Sequence, residues 1–473
     1  MLNIEIEQQN GFCIMYDIII IGAGTAGISA YKQAVKHTQN LLIINDGPWD
    51  TTCARVGCMP SKVLIASANR CHDIQQLDQV GLKGRVQLDC TEVMQHVRTL
   101  RDSFTASTLK EVNAWPEQHK CSGKAEFIDA STVRVNGQDY QAKAFILAVG
   151  STPNVPGLWK AQLQHRLITS DDIFELPTLP RSVAVIGSGA IAIEMAQALS
   201  RLGVKITIFA RSQRVGILSS PSLQQLAQTI LAKELDIKFE VLPDQLLLEH
   251  DQVKISYRQE GQQVTEHYDY VLNATGRDSL LNTLKLEKIS PEYDDIKKLP
   301  VDSKTKQLGD FPIFIAGDAF TSTPVQHEAA FEGKMLVQNC LNYPDVQNVK
   351  LLTPLSMVFC SPEMAIAGRS HKQLTQAKQA FITGEASYSN QGRAKVLGKN
   401  QGAVEVYVDP ESRVLLGAEL CVEQAEHMAH MLAWSIAQDA TIDDVLQFPF
   451  YHPTLEEGLR TALKAARRQL DQT

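Results

Sequence analysis

The chain has 473 residues, 44% of them hydrophobic and 21% charged, with a formal net charge of −8. That length exceeds what one hydrophobic core serves, and the composition is that of ordinary globular domains, so three or four of them are expected. The acidic balance, without any block of like charges, argues against nucleic acid as a main partner. No apolar run approaches the roughly 20 residues needed to cross a bilayer, so no membrane association is expected either.

The first 15 residues carry Glu5 and Glu7 and lack a basic start followed by an apolar stretch, so they are not expected to act as a secretory signal. Residues 1–14 are expected to form a short extension ahead of the first strand. That strand, Asp17 to Ile21, is almost all isoleucine and runs into Gly22-Ala-Gly24-Thr-Ala-Gly27 and a helical pattern through Ile28, Ala30, Tyr31, Ala34 and Val35. A strand, a Gly-x-Gly-x-x-Gly turn and a helix form a dinucleotide-binding unit: the glycines allow a tight turn, close approach of a pyrophosphate and close helix packing. The helix N-terminus offers amide donors and positive potential to the phosphates. The next strand, Leu41 to Ile44, should end in an acid that holds a ribose hydroxyl. Asn45 stands there, so Asn45 is the expected ribose contact with Asp46 as its substitute.

Next comes Thr51-Thr52-Cys53-Ala-Arg-Val-Gly57-Cys58-Met-Pro60-Ser61-Lys62. If a helical turn begins near Ala54, the two sulfurs lie about one turn apart, within disulfide reach. A dithiol at a helix N-terminus is also easier to deprotonate. Taken alone, the pair reads equally well as two buried, inert thiols. The chain has nine cysteines, and the other seven are scattered without partners at motif spacing, which points to a reducing, cytoplasmic setting rather than a secreted disulfide framework. There an isolated dithiol is more often catalytic than structural.

Helical spacing returns over Val63–Cys71 and Thr91–Val112, and Lys124–Gln141 reads as a hairpin turning at Asn136-Gly137. Ala144 to Val149 is a buried strand stopping at Gly150, Ser151 and Pro153. A second copy of the nucleotide unit follows, with strand Val183–Ile186, then Gly187-Ser-Gly189-Ala-Ile-Ala192, then a helix Ala190–Leu202 and a strand Lys205–Phe209. Two such units imply two nucleotides. After the second strand no acid appears; the chain reads Ala210-Arg211-Ser212. Arg211 can pair with a 2′-phosphate, which favours NADPH, or it is simply a solvated loop arginine.

Val271 to Gly276 closes the second unit, and Phe311 to Ala316 is a strand ending at Gly317-Asp318, where ligands of open α/β sheets lie. A helix follows over Gln326–Leu341, and from about Leu352 the texture is that of a separate α+β domain. Near the end, His452-Pro453-Thr454 precedes Glu457. A carboxylate five residues on can orient the imidazole as a general base, or the histidine merely packs before the last helix.

Taken together, the dithiol, two nucleotide units, Gly-Asp strand and C-terminal His-Pro-Thr segment closely resemble the two-cysteine flavoprotein disulfide reductases, class I pyridine nucleotide-disulfide oxidoreductases. The match covers essentially residues 16 to 466. The dihydrolipoyl dehydrogenase branch is the nearest pattern, since Ser61-Lys62 is lipoyl-like and no C-terminal cysteine pair of the mercuric or thioredoxin reductase kind is present. The resemblance implies an α/β fold, with two Rossmann-like domains for FAD and NAD(P) and a C-terminal α+β dimerisation domain. The expected boundaries are 1–155 (FAD), 156–280 (NAD(P)), 281–350 (a central domain completing the FAD site) and 351–473 (the interface).

It also implies roles. Cys58 is the sulfur beside the flavin and Cys53 the one exchanging with substrate. Lys62 lies near the flavin with Glu194 as its carboxylate partner. Ala125, Asp318 and Gln326 hold FAD, one per subunit. His452, oriented by Glu457, serves the partner subunit's site in a homodimer. Thr52, Gly150, Ser151, Gly276 and His327 complete the expected cofactor contacts. The activity implied is dithiol/disulfide oxidoreduction between a lipoamide-type substrate, free or bound in a 2-oxoacid dehydrogenase complex, and NAD or NADP. The alternative is an NADPH-dependent reductase of another small disulfide, like glutathione reductase. Ala210-Arg211 departs from the acidic NAD signature of the lipoyl branch, and Asp50-Thr51-Thr52-Cys53 from its usual Gly-Gly-Thr-Cys.

Overall fold

A computed structural model describes residues 15–321 and 324–472; the N-terminal extension expected over residues 1–14 lies outside the described residues, as does Cys13. The chain divides into two compact units. One comprises Met1–Cys53, Thr105–Thr152 and Asp278–Leu351; the other comprises Ala54–Phe104, Pro153–Arg277 and Leu352–Thr473.

The first unit is built on a sheet whose central strand, Met15–Ile21, pairs in parallel with Leu41–Asn45 on one side and Gln138–Leu147 on the other. Lys120–Ser122 adds in parallel outside Leu41–Asn45, and Ile313–Ile315 pairs in parallel with the end of Gln138–Leu147. The run of isoleucines forms such a strand because both faces are covered, so its residues alternate between two cores rather than between core and water. Ile18 and Ile20 pack with Ala30, Tyr31, Leu336 and Val337. Ile19 and Ile21 pack on the other face with Phe127, Phe145 and Leu281. Helix Gln326–Asn342 lies so close to helix Thr25–Ala34 that a Cβ at Gly333 would overlap the backbone of Ala26.

The hairpin expected over Lys124–Gln141 is a three-stranded antiparallel meander instead, Ala125–Asp129, Thr132–Val135 and Gln138–Leu147. Asn136 and Gly137 both have positive φ, as a two-residue hairpin turn requires. The additional turn is made by Asp129, whose carboxylate accepts the backbone N–H of Ser131 at 2.7 Å and its hydroxyl at 2.8 Å. Such an Asx turn is a side-chain device, invisible to a count of apolar alternation.

In the second unit five parallel strands run in the order Asp236–Phe239, Lys205–Ala210, Ser182–Ile186, Tyr270–Asn273, Leu167–Ile168. The C-terminal part is a separate antiparallel sheet, Leu355–Val358, Glu363–Gly368, Leu415–Val422, Ala403–Val408, Ile382–Ser387. Helices Ala425–Ala437 and Glu456–Leu470 share its core through Met428, Leu432, Leu459 and Leu463. A mixed α/β chain with two nucleotide-type sheets and a C-terminal α+β sheet is the architecture the sequence implied.

Candidate active site and cofactor sites

Each nucleotide unit shows the same local solution. Gly22 has φ +104 and Gly187 φ +118, and a Cβ on either would overlap a carbonyl oxygen at the end of a neighbouring strand, that of Ala148 and of Ala274 respectively. Only glycine tolerates both the left-handed backbone and that approach. Gly24 and Gly189 are the N-cap residues of helices Thr25–Ala34 and Ala190–Arg201; neither helix has a side-chain cap or an acid in its first turn. A Cβ added at Gly24 or Gly189 would meet nothing within 4 Å, so the space over both bare helix ends is open. Uncapped amides with positive potential and room above them fit a pyrophosphate. Gly27 packs against the backbone of Gly22, whereas its counterpart Ala192 is fully buried with its methyl accommodated.

Asn45 is committed to the loop itself. Its Oδ1 accepts the Ala23 N–H at 2.9 Å, and its Nδ2 donates to the carbonyls of Gly47 at 3.1 Å and Pro48 at 2.9 Å. The neighbouring Asp46 is exposed. Ala125 is buried at the start of its strand, two residues after Gly123, whose N–H donates to the Asn45 carbonyl at 2.9 Å. Gly150 has φ +70, and half-buried Ser151 follows it.

Asp318 is half-buried in the turn Gly317–Ala319, directly after strand Ile313–Ile315. A residue the sequence did not single out fixes that turn: Glu332, 8% exposed, accepts the Gly317 N–H at 2.8 Å and pairs with Lys306 at 2.7 Å. Gln326 and His327 are exposed at the start of helix Gln326–Asn342.

The dithiol segment differs from a single helical turn. Thr52 and half-buried Cys53 belong to a short helix Thr52–Arg55, Gly57 interrupts at φ −118 and ψ −118, and exposed Cys58 opens the 18-residue helix Cys58–Gln75. Gly57 is the physical reason, since its backbone breaks the first helix before the second begins. Cys58 therefore occupies the helix N-terminus, where a thiolate is favoured.

One turn further along the same helix, the Lys62 ammonium donates to both carboxylate oxygens of Glu194, at 3.1 and 2.9 Å. Glu194 stands on helix Ala190–Arg201 and its Oε1 also accepts the Phe359 N–H at 2.9 Å. In the second unit, Arg211 is exposed immediately after strand Lys205–Ala210, and Gly276 has φ +134.

Near the C-terminus, His452 and Glu457 are brought together, with Nδ1 lying 3.0 and 3.1 Å from the two carboxylate oxygens. Ionised carboxylate can only accept, so Nδ1 carries a proton, and in the neutral ring Nε2 is the acceptor. The hydrogen bond from His452, with that of the Thr454 N–H, holds the Glu457 carboxyl below its ordinary range, so it stays ionised.

Residues 16–339 match the family Pyridine nucleotide-disulphide oxidoreductase, and residues 355–463 match the dimerisation domain of that family. The chain is a pyridine nucleotide-disulphide oxidoreductase. As such it is an enzyme, an FAD-dependent disulfide oxidoreductase that uses a nicotinamide nucleotide as its second cofactor. Its dimerisation domain supports a homodimer. The oxidoreductase is 29% identical over 474 residues to a dihydrolipoyl dehydrogenase of Geobacillus stearothermophilus, covering 96% of this chain and 97% of the relative. It is 26% identical over 456 residues to that of Mycoplasma pneumoniae, covering 95% and 98%. Among solved structures it resembles LpdA from Mycobacterium tuberculosis, with a TM-score of 0.79 at 20% identity, covering 96% of this chain and 99% of that one. Among the described residues, no helix is long and apolar enough to cross a membrane, and no cluster of His, Cys, Asp and Glu could hold a metal ion.

Proposed function

We propose that the oxidoreductase oxidises a lipoamide-type dithiol through Cys53 and Cys58, with His452 as base. The observation that carries this reading is the His452–Glu457 pair, which leaves Nε2 as a proton acceptor of fixed orientation. Nε2 takes the proton of the first substrate thiol. The resulting thiolate attacks Cys53 of the Cys53–Cys58 disulfide, forming a mixed disulfide and releasing Cys58 as thiolate at its helix N-terminus. The second substrate thiol then displaces Cys53, so the substrate leaves as a disulfide and both cysteines are reduced. When bound, FAD supplies the two-electron chemistry that connects such a dithiol to a nicotinamide.

The residues proposed to hold FAD are Gly22, Gly24 and Gly27 at the pyrophosphate, Thr52, Ala125, Gly150, Ser151, Asp318, Gln326 and His327. Asn45, whose Oδ1 has a second lone pair beside the one that accepts the Ala23 N–H, takes the ribose hydroxyl, with Asp46 as its substitute. Lys62 and Glu194 form the ion pair beside the redox centre. Gly187, Gly189, Arg211 and Gly276 serve the nicotinamide nucleotide. The functional division we adopt is 1–155 for FAD, 156–280 for NAD(P), 281–350 completing the FAD site and 351–473 for dimerisation, with His452 acting in the partner subunit's site. An 81% exposed side chain suits a base whose surroundings the partner completes. A cytoplasmic location and service to a 2-oxoacid dehydrogenase complex belong to the same reading.

Exposed Arg211, where an acid would select NAD, favours a second reading, an NADPH-dependent reductase of another small disulfide. Anaerobic titration of the purified yellow protein with NADH and with NADPH, followed by lipoamide-linked turnover, separates the two. Fast dihydrolipoamide oxidation with NAD supports the first reading. Reduction by NADPH alone, with poor lipoamide turnover, sinks it in favour of the second.

A further inference from the structure

The Lys62–Glu194 pair has a third member. The ring centroid of Phe359 lies 4.5 Å from the Lys62 ammonium, and the backbone N–H of the same Phe359 donates to Glu194 at 2.9 Å. One residue thus fixes the anion with its main chain and faces the cation with its ring. The segment carrying it is pinned again one helical turn on from Glu194. Gln197, 3% exposed, accepts the Ser361 N–H at 2.7 Å and donates to the Ser361 carbonyl at 2.8 Å. Its amide also donates to Glu234 at 3.0 Å. Glu194 and Gln197, three apart on helix Ala190–Arg201, therefore grip Phe359 and Ser361 on either side of Cys360. Phe359 is half-buried, and the main chain on which its ring stands is held from both sides.

Lys62 sits four residues after Cys58 on helix Cys58–Gln75. Helical side chains lean toward the N-terminus, and residues four apart share a face. Lys62 and Cys58 therefore share one face of this helix, with the Lys62 stem leaning toward the turn that carries Cys58. A flexible lysine stem has many rotamers, and holding its head in one place requires partners on more than one side. Glu194 alone leaves the ammonium free to swing about the carboxylate; an aromatic face removes that freedom.

We propose that Phe359 is a positioning residue for the redox centre: its ring holds the Lys62 ammonium beside Cys58, so that a residue of the C-terminal domain sets the charge next to the reacting sulfur. The role of that sulfur rests on the function proposed above. Every substitution at Phe359 other than proline retains the N–H to Glu194, so exchanging the side chain reads the ring alone.

The test uses reduced holoenzyme and measures the rate of Cys58 carbamidomethylation by iodoacetamide against pH, with the modified peptide quantified by mass spectrometry. Phe359→Leu is expected to move the alkylation midpoint to higher pH and to slow labelling below it by about two- to fivefold, the value of one cation–π contact. Phe359→Tyr and Phe359→Trp, which keep an aromatic face, restore the wild-type profile. Gln197→Leu, which loosens the segment but keeps the ring, shifts the profile in the same direction as Phe359→Leu. In a Lys62→Met background, Phe359→Leu has no additional effect, because there is no cation to hold. An unchanged midpoint in Phe359→Leu, or an equal shift in the absence of Lys62, overturns the proposal. Lipoamide turnover of the wild type reports separately on the substrate: its absence beside an intact ring-dependent shift removes the lipoamide assignment and leaves the role of Phe359 standing.

Discussion

His452 and Glu457 meet across a proline turn, with Nδ1 of the imidazole 3.0 and 3.1 Å from the two oxygens of the carboxylate. His452 lies at the approach to the final helix, Glu456–Leu470, Glu457 is in that helix's first turn, and the Thr454 N–H donates to the same Glu457 carboxylate at 3.2 Å. The carboxylate is thus held from two directions and in turn fixes the tautomer of the ring. If Nε2 is the base for the substrate thiol, His452→Gln lowers dithiol turnover by about 10²- to 10⁴-fold, the usual contribution of general base catalysis. Glu457→Gln, which relaxes the tautomer but leaves the imidazole, loses less. Steady-state rates with dihydrolipoamide check both, and a His452→Gln enzyme within a factor of about three of wild type excludes the assignment.

Cys58→Ser makes a sharper separation. Serine is close to cysteine in size and leaves the glycine loop at Gly22 and Gly24 in place, so the variant is expected to purify yellow with its flavin retained. Turnover of a dithiol substrate should fall by at least about a thousandfold, as removal of a covalent participant does. Electron transfer from a reduced nicotinamide to an artificial acceptor that bypasses the dithiol should persist. Dithiol turnover near the wild-type rate would eliminate the disulfide-exchange mechanism.

The parts that were legible in the sequence are those in which backbone chemistry dictates residue type. Gly22 and Gly187 can be read because no other residue fits at positive φ against a carbonyl oxygen. The strand of isoleucines can be read because both its faces are buried. His452 and Glu457 can be read because they are close in sequence. Phe359 and Glu332 could not be found that way. Phe359 is 165 residues from Glu194, and a phenylalanine in an apolar stretch carries no sign of the cation it faces. Glu332 sits in a helical pattern that a solvated acid would equally satisfy, and only the fold shows its carboxylate on the Gly317 N–H. Asn45 was read for its position at a strand end, and that reading could not show that its amide Nδ2 also ties the loop at Gly47 and Pro48.

Glu419 is fully buried and accepts four hydrogen bonds: from the N–H groups of Ser219 at 2.6 Å, Ser220 at 3.0 Å and His371 at 2.8 Å, and from the Ser219 hydroxyl at 2.5 Å. A buried charge with that many donors is satisfied; the donors without the charge are not. Glu419→Ala leaves three backbone N–H groups without an acceptor and is expected to cost about 3–5 kcal/mol. Urea unfolding at fixed protein concentration checks this, with a lower midpoint at an unchanged slope as the expected result. A loss below about 1 kcal/mol would mean that water or a rearranged serine replaces the carboxylate.

Glu363 gives the molecule a pH dependence of calculable sign. It opens strand Glu363–Gly368 and accepts the Glu426 N–H at 2.9 Å. Burial, added to by the charges of Glu426 and Glu423, pushes its carboxyl up to about 7 from an ordinary 4.5. The folded state therefore binds this proton more tightly than the unfolded chain does. Its contribution is complete below the ordinary value, declines as the pH rises toward about 7, and is constant above that. Glu363→Gln removes the titration while keeping a carbonyl for the Glu426 N–H. The variant should match the wild type in stability near pH 4.5 and exceed it by on the order of 1–3 kcal/mol at pH 8. Unfolding midpoints measured across that range at constant protein concentration, so that dimerisation contributes equally, decide the matter. Parallel pH profiles for the two proteins would show that Glu363 titrates alike in the folded and unfolded states, its surroundings offsetting the cost of burying the charge.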